Sequence, residues 1–139
     1  MDRKKKITEE EALVRAFHEV MDLPRDSSFT EELLLLRRRV IEEEVKELFA
    51  EIDAALEAVR AGKSVPKAVR TNMMKELADV LYGAIGMGVT FGLPMAEVFR
   101  RVHESNMSKL GVDGKPIKRS DGKVTKGPNY HPPFLDDLA

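Results

Sequence analysis

The sequence predicts an all-α fold, and three observations carry that prediction. Apolar residues recur at three- and four-residue steps through four long stretches, the spacing that gathers them on one helix face. Helix punctuation bounds those stretches: Thr8 and Thr30 stand ahead of glutamate runs, Gly62 and Gly92 stand behind, and Pro66 and Pro94 open the third and fourth. Of 139 residues, 42% are hydrophobic and 34% charged, a balance that suits a soluble helical protein and excludes a disordered one.

The first helix starts at Thr8, where Glu9, Glu10 and Glu11 supply a capping box. It runs to about Met21 on a stripe of Leu13, Phe17 and Val20. Residues 22–28 form a loop marked by Pro24 and an Asp/Ser cluster. Thr30 begins a long second helix, to about Ala61, whose stripe is Leu34, Ile41, Val45, Leu48, Ile52, Leu56 and Val59. Gly62 stops it and Ser64-Val65-Pro66 turns the chain. A third helix starts near Pro66 or Thr71 and reaches about Phe91, with Met73, Leu77, Val80, Leu81, Ala84, Met87 and Phe91 on its stripe. Gly92-Leu93-Pro94 ends it. A fourth, from Met95 to about Lys109, carries Val98, Phe99, Val102 and Met107.

From Gly111 onward the character changes. Asp113-Gly114 and Asp121-Gly122 are turn dipeptides, and Pro128, Pro132 and Pro133 exclude helix. Pro116-Ile117 and Lys123-Val124-Thr125 are expected as a small hairpin or an ordered arm. Lys115, Lys118, Arg119 and Lys123 make this the most basic stretch of the chain. The expected organisation is one domain over 1–139, with a helical core over about 8–109 and an irregular arm over about 110–139. Helical chains of this size often complete their core by oligomerising, so a homodimer or higher homo-oligomer is expected.

Composition excludes several classes. A net charge of −1 gives no general attraction to nucleic acid or anionic membrane. With no cysteine there is no disulfide, thiolate chemistry or cysteine-based zinc site. The basic Met1-Asp2-Arg3-Lys4-Lys5-Lys6 leads into Ile7-Thr8-Glu9-Glu10-Glu11 rather than an apolar core, and no run approaches membrane-spanning length. A cytoplasmic protein is expected.

The chemistry is concentrated in two carboxylate pairs. Glu44 and Glu47 lie three apart on the second helix, and Glu76 and Asp79 three apart on the third. Residues so spaced share a helix face, and on a helical wheel each pair borders the apolar stripe. Packing the two helices antiparallel brings both edges to one side of the interface. Like charges gather there for a divalent cation, and an all-oxygen set favours Mg²⁺ or Mn²⁺. The alternative is a solvated acidic face. No Glu stands three residues before His18, His103 or His131, so a Glu-x-x-His di-iron site is excluded. Gly83 and Gly86 continue the Glu76/Asp79 edge, which implies close approach there by a helix backbone or a ligand.

Glu44-x-x-Glu47, a gap of 28 residues, then Glu76-x-x-Asp79 resembles the signature of the all-α NTP pyrophosphatases, the superfamily of MazG-like enzymes, phosphoribosyl-ATP pyrophosphatase and the dimeric dUTPases. Ala16-Phe17-His18-Glu19-Val20, Asp79-Val80-Leu81-Tyr82-Gly83, Phe91-Gly92-Leu93-Pro94 and Val102-His103-Glu104-Ser105-Asn106-Met107-Ser108-Lys109 are similar to its MazG-like, phosphoribosyl-ATP-pyrophosphohydrolase-like branch with dUTP-cleaving members. Residues 121–130 extend the likeness, which covers the chain from about Ala16 to Phe134.

The resemblance implies a MazG-like four-helix core and hydrolysis between the α- and β-phosphates of a nucleoside triphosphate, dUTP first. It implies Mg²⁺ held by Glu44, Glu47, Glu76 and Asp79, neutralising phosphate oxygens and acidifying water. Glu47 and Glu43 are the candidate catalytic acids. Glu43, which diverges from the pair, is an orienting residue, a base, or merely exposed. Asn106 and Lys109 match positions that contact the nucleotide, although Lys109 also suits a helix C-terminus. Lys123 and Lys126 either fold over the phosphates or stay solvated. Tyr82 and Tyr130 are stacking candidates, with Tyr82 also a core candidate. His18 is a structural histidine or a base contact. Phosphoribosyl-ATP pyrophosphatase is the competing activity, against which the basic arm speaks. A non-catalytic helical interaction module is the alternative of another class, against which the intact acids speak.

Overall fold

The computed structural model describes residues 6–139, so the basic run from Met1 to Lys5 lies outside it. Four α-helices occur among the described residues: α1 (Glu9–Val20), α2 (Glu31–Arg60), α3 (Lys67–Phe91) and α4 (Met95–Met107), followed by a 3-10 turn, Asp136–Leu138. The all-α expectation is met. Among the described residues, no helix is long and apolar enough to cross a membrane.

The caps behave as the sequence predicts. The hydroxyls of Thr8 and Thr30 accept the backbone N–H of Glu11 and Leu33 at 3.1 and 3.2 Å, satisfying donors left open at a helix start. Gly62 and Gly92 take φ of +70° and +64°. Beyond each, the next backbone N–H returns to a carbonyl of the last turn, Lys63 to Ala58 and Leu93 to Gly88, both at 2.9 Å. A side chain at Gly92 would also meet Asp26 at 2.9 Å.

Residues 8–93 form one compact unit of α1, α2 and α3. α3 is its centre, packed against both α1 and α2. The loop between α1 and α2 is tied to the end of α3: the N–H groups of Asp26 and Ser27 donate to the carbonyls of Val89 and Thr90 at 2.9 and 2.7 Å. Those carbonyls belong to the last turn and have no partner inside the helix. Arg15 bridges Glu11 (3.1 Å) and Asp26 (3.2 Å), and Phe29 stacks on Phe91 with ring centroids 4.5 Å apart.

The faces differ from the sequence expectation. On α1 the buried residues are Glu11, Val14 and His18, while Leu13, Phe17 and Val20 are exposed. On α3 the buried face is Glu76, Gly83, Gly86, Gly88, Val89, Thr90 and Phe91, while Leu77 and Leu81 are each 54% exposed. A hydrophobic stripe tells which side chains leave water favourably, not which neighbour covers them. Here the small and acidic edge of α3 faces its own unit, while of the expected stripe Leu77, Leu81 and Ala84 are exposed, Met73, Val80 and Met87 half-buried and Phe91 buried.

Residues 94–139, with residues 6–7, form a second unit. Its arm carries an isolated antiparallel bridge between Lys118 and Val124, the minimal form of the expected hairpin. Ser105 of α4 is buried and donates its hydroxyl to the His131 carbonyl at 2.7 Å. α4 ends at Met107, short of the expected Lys109, because residues 108–110 close into turns.

Arg101 joins α4 to the chain end, with Glu97 at 2.8 Å and Asp137 at 2.5 Å. Hydrogen bonds from Arg100 and then Arg101 hold Glu97 down to about 2, and Arg101 holds Asp137 below its ordinary value. Depressed carboxylates stabilise above their unfolded values and lose that effect as pH falls through the folded ones. The protection factors of amides 135–139, taken against the intrinsic exchange rate at each pH, should therefore hold at neutral pH and fall as pH drops from about 4.5 to about 2. Arg101→Ala should give the lowered protection already at neutral pH.

Candidate metal centre

α2 and α3 run antiparallel in a steady register. Asn72 donates to Glu51 at 3.2 Å, and further along Val40 lies against Gly83 and Arg37 against Gly86. Between these points the register sets Glu47 opposite Glu76 and Glu44 opposite Asp79. One carboxylate oxygen from each of the three lies within 4.8 Å of the others. Glu76 is 9% exposed, and its Oε2 is buried with no hydrogen-bond partner. Burial first, and then the charges of Asp79, Glu47 and Glu76, push the Glu44 carboxyl above its ordinary value.

Lys75 answers part of this charge. Its ammonium lies 3.1 Å from Glu76 Oε1 and 2.8 Å from Asp79 Oδ2, and these two contacts hold it above its ordinary value. The Lys75 side chain is 63% exposed, so the pairing is weak, as solvated ion pairs are. It leaves Glu76 Oε2 unsatisfied. Three converging carboxylates, one with a buried unpartnered oxygen, fit a hard divalent cation. Asp79, half-buried, is engaged by Lys75 and is outside the converging three. Glu43 is exposed and also outside the three.

A cavity of about 200 Å³ adjoins the acids, its lining running from Glu44 and Asp79 through Tyr82, Phe17 and Val40 to Arg37, His18 and Gly86. His18 is 2% exposed and its Nδ1 is 3.0 Å from the Pro24 carbonyl, so it is a structurally anchored histidine that also lines the cavity. Tyr82 is 40% exposed and meets Phe17 edge-to-face at 5.5 Å. At Gly83 and Gly86 the close approach comes from side chains of α2 and α1 rather than from a helix backbone.

Asn106, Lys109, Lys123, Lys126 and Tyr130 belong to the second unit. Asn106, Lys123 and Lys126 are exposed, Lys109 and Tyr130 half-buried, and the Lys126 ammonium sits 4.6 Å from the Tyr130 ring centroid. Sequence reading missed Lys75 and Arg37. The Lys75-to-Asp79 spacing, one helical turn, was the available signal for the first. For Arg37 it was position alone, two turns before Glu44 on the same face.

Helices presenting an all-carboxylate centre beside a partly aromatic cavity fit a metal-dependent hydrolase. The family model for phosphoribosyl-ATP pyrophosphohydrolase matches residues 14–106, more than half of the 139-residue chain. The chain belongs to that family and is a pyrophosphohydrolase, a hydrolase acting on phosphoric anhydrides. Enzymes of the family are metal-dependent. The match takes in all four carboxylates and ends at Asn106, leaving out Lys109, Lys123, Lys126 and Tyr130. No curated protein matches the chain.

Glu76→Gln preserves shape and removes one of the converging charges. The metal-free variant should melt no lower than wild type, while Mg²⁺ affinity, read by thermal-shift titration, should fall by about tenfold or more.

Proposed function

We propose that the chain hydrolyses a nucleoside triphosphate between its α- and β-phosphates, releasing monophosphate and pyrophosphate. Mg²⁺ is the proposed ion, with Mn²⁺ able to replace it. The observation that carries this reading is the convergence of Glu44, Glu47 and Glu76, with the unpartnered Glu76 oxygen, at the mouth of a partly aromatic cavity. A bound divalent ion supplies charge neutralisation for phosphate oxygens and acidifies water. The water oxygen bonds to the α-phosphorus, the bond from that phosphorus to the α–β bridging oxygen breaks, and pyrophosphate leaves. In this reading Glu47, the exposed member of the three, takes the water's proton and passes it to solvent. Glu43, exposed beside Glu44, acts in support. Asp79 completes the metal set when Lys75 yields.

dUTP, or another deoxynucleotide, is the proposed substrate, and removal of unwanted nucleotides in the cytoplasm the proposed role. Phosphoribosyl-ATP is the second reading, favoured by the family match itself. Its base carries a second sugar phosphate, whereas the far end of the cavity is lined by buried Arg37, His18 and Gly86. That end suits an unsubstituted base edge.

A panel of deoxynucleotides and phosphoribosyl-ATP, scored separately for pyrophosphate and phosphate, tests the proposal. Pyrophosphate from a deoxynucleotide is expected, with kcat lowered about a hundredfold or more by Glu47→Ala. Inorganic phosphate as first product contradicts α–β cleavage.

We also propose a homodimer. The outward apolar faces, Leu13, Phe17 and Val20 on α1 with Leu77 and Leu81 on α3, support it, because exposed apolar surface in contiguous patches marks an interface. Light scattering should give twice the 15.6 kDa chain mass, and Leu81→Arg should shift the species to monomer.

A further inference from the structure

Two buried side-chain polar atoms lack a hydrogen-bond partner among the described residues: Glu76 Oε2 and Arg37 Nε. The first belongs to the carboxylate centre. Arg37 does not, since it stands seven residues before Glu44 on α2, about 10 Å along the helix axis. It is 8% exposed, no carboxylate pairs with it among the described residues, and burial alone pulls its guanidinium below the ordinary value. Burying an unpaired cation is costly, and polar groups left so in a native fold call for a ligand or a role.

Arg37 lines the cavity at the end away from the acids, and His18 stands beside it. A Cβ built on Gly86 would lie 3.0 Å from Arg37 Nη1 and 3.4 Å from His18 Nε2, so both nitrogens converge on the space over that glycine. The Pro24 carbonyl facing His18 Nδ1 can only accept, so Nδ1 carries the hydrogen. In that tautomer Nε2 is an acceptor, while a guanidinium only donates. A donor and an acceptor thus sit side by side beyond walls formed by Phe17, Tyr82, Leu23 and Val40. Apolar and aromatic walls with a few convergent polar groups suit a flat heterocycle.

We propose that Arg37 and His18 are the base-reading edge of this cavity, selecting bases that present a carbonyl next to a ring N–H. Arg37 donates to the carbonyl and His18 Nε2 accepts from the ring N–H. Uracil, thymine, guanine and hypoxanthine offer that pair. Cytosine and adenine place an amino group and a ring acceptor there instead, setting donor against donor and acceptor against acceptor. This inference rests on the proposed nucleotide chemistry and deepens it by naming the substrate class.

The test is kcat/KM of the full chain with Mg²⁺ for dUTP, dTTP, dGTP, dITP, dCTP and dATP, in wild type, Arg37→Met and Arg37→Lys, together with each variant's melting temperature. Wild type should favour at least one carbonyl/N–H base about a hundredfold over dCTP, and dITP similarly over dATP. Arg37→Met should collapse those ratios by lowering the favoured rates while melting at or above the wild-type temperature, because it removes an unpaired buried charge. Arg37→Lys, which keeps the charge without the planar fork, should recover part of the selectivity. Ratios unchanged in Arg37→Met, equal loss for every base, or a lower melting temperature overturns the inference and leaves the nucleotide chemistry standing. No turnover of any nucleotide overturns both.

Discussion

Everything in the α1–α3 unit depends on an unfavourable interaction, the mutual repulsion of carboxylates gathered between α2 and α3. Glu44, Glu47 and Glu76 bring oxygens within 4.8 Å of one another, and one of those side chains is buried. A divalent cation would offset that repulsion. Lys75 is a partial answer, solvated and bonded to only one Glu76 oxygen. The antiparallel register that opposes Glu47 to Glu76 and Glu44 to Asp79 also opposes Val40 to Gly83 and Arg37 to Gly86. One helix pairing therefore sets the acidic mouth and the far end of the cavity together.

The packing reflects the same constraint. Val14, Leu48, Val89 and Phe91 are the buried apolar core among the described residues, a short list beside the buried Glu11, His18, Arg37, Glu76, Thr90 and Ser105. Before its last turn, α3 buries an acid and three glycines, and it presents Leu77 and Leu81 to the outside. Glycines let the α2 and α1 side chains approach closely enough to shape a cavity. Structure of this kind trades apolar burial within one chain for a functional interior.

Much was legible in the sequence where the physics is local. Thr8, Thr30, Gly62 and Gly92 fixed helix ends because capping and positive φ act within a turn. Even the open start of α3 fell at Pro66, just ahead of Lys67. The Glu44/Glu47 and Glu76 convergence followed from helical spacing and one antiparallel turn. The faces were not legible: Leu13, Phe17 and Val20 form a regular stripe, yet Leu13 and Val20 stay largely exposed and Phe17 is only partly covered, by Tyr82. Arg37 was hidden within Arg37-Arg38-Arg39, three residues alike in composition of which only the first is buried. Burial of a charge is a property of the assembled helices, and no local rule announces it.

That the carboxylates converge because they hold a divalent ion is tested most directly by anomalous diffraction from a crystal soaked in Mn²⁺. One or more peaks bonded to oxygens of Glu44, Glu47 and Glu76 are predicted, Oε2 of Glu76 among them, with Lys75 released from Asp79. An absent peak, with Lys75 still bonded to Glu76 and Asp79, would contradict it.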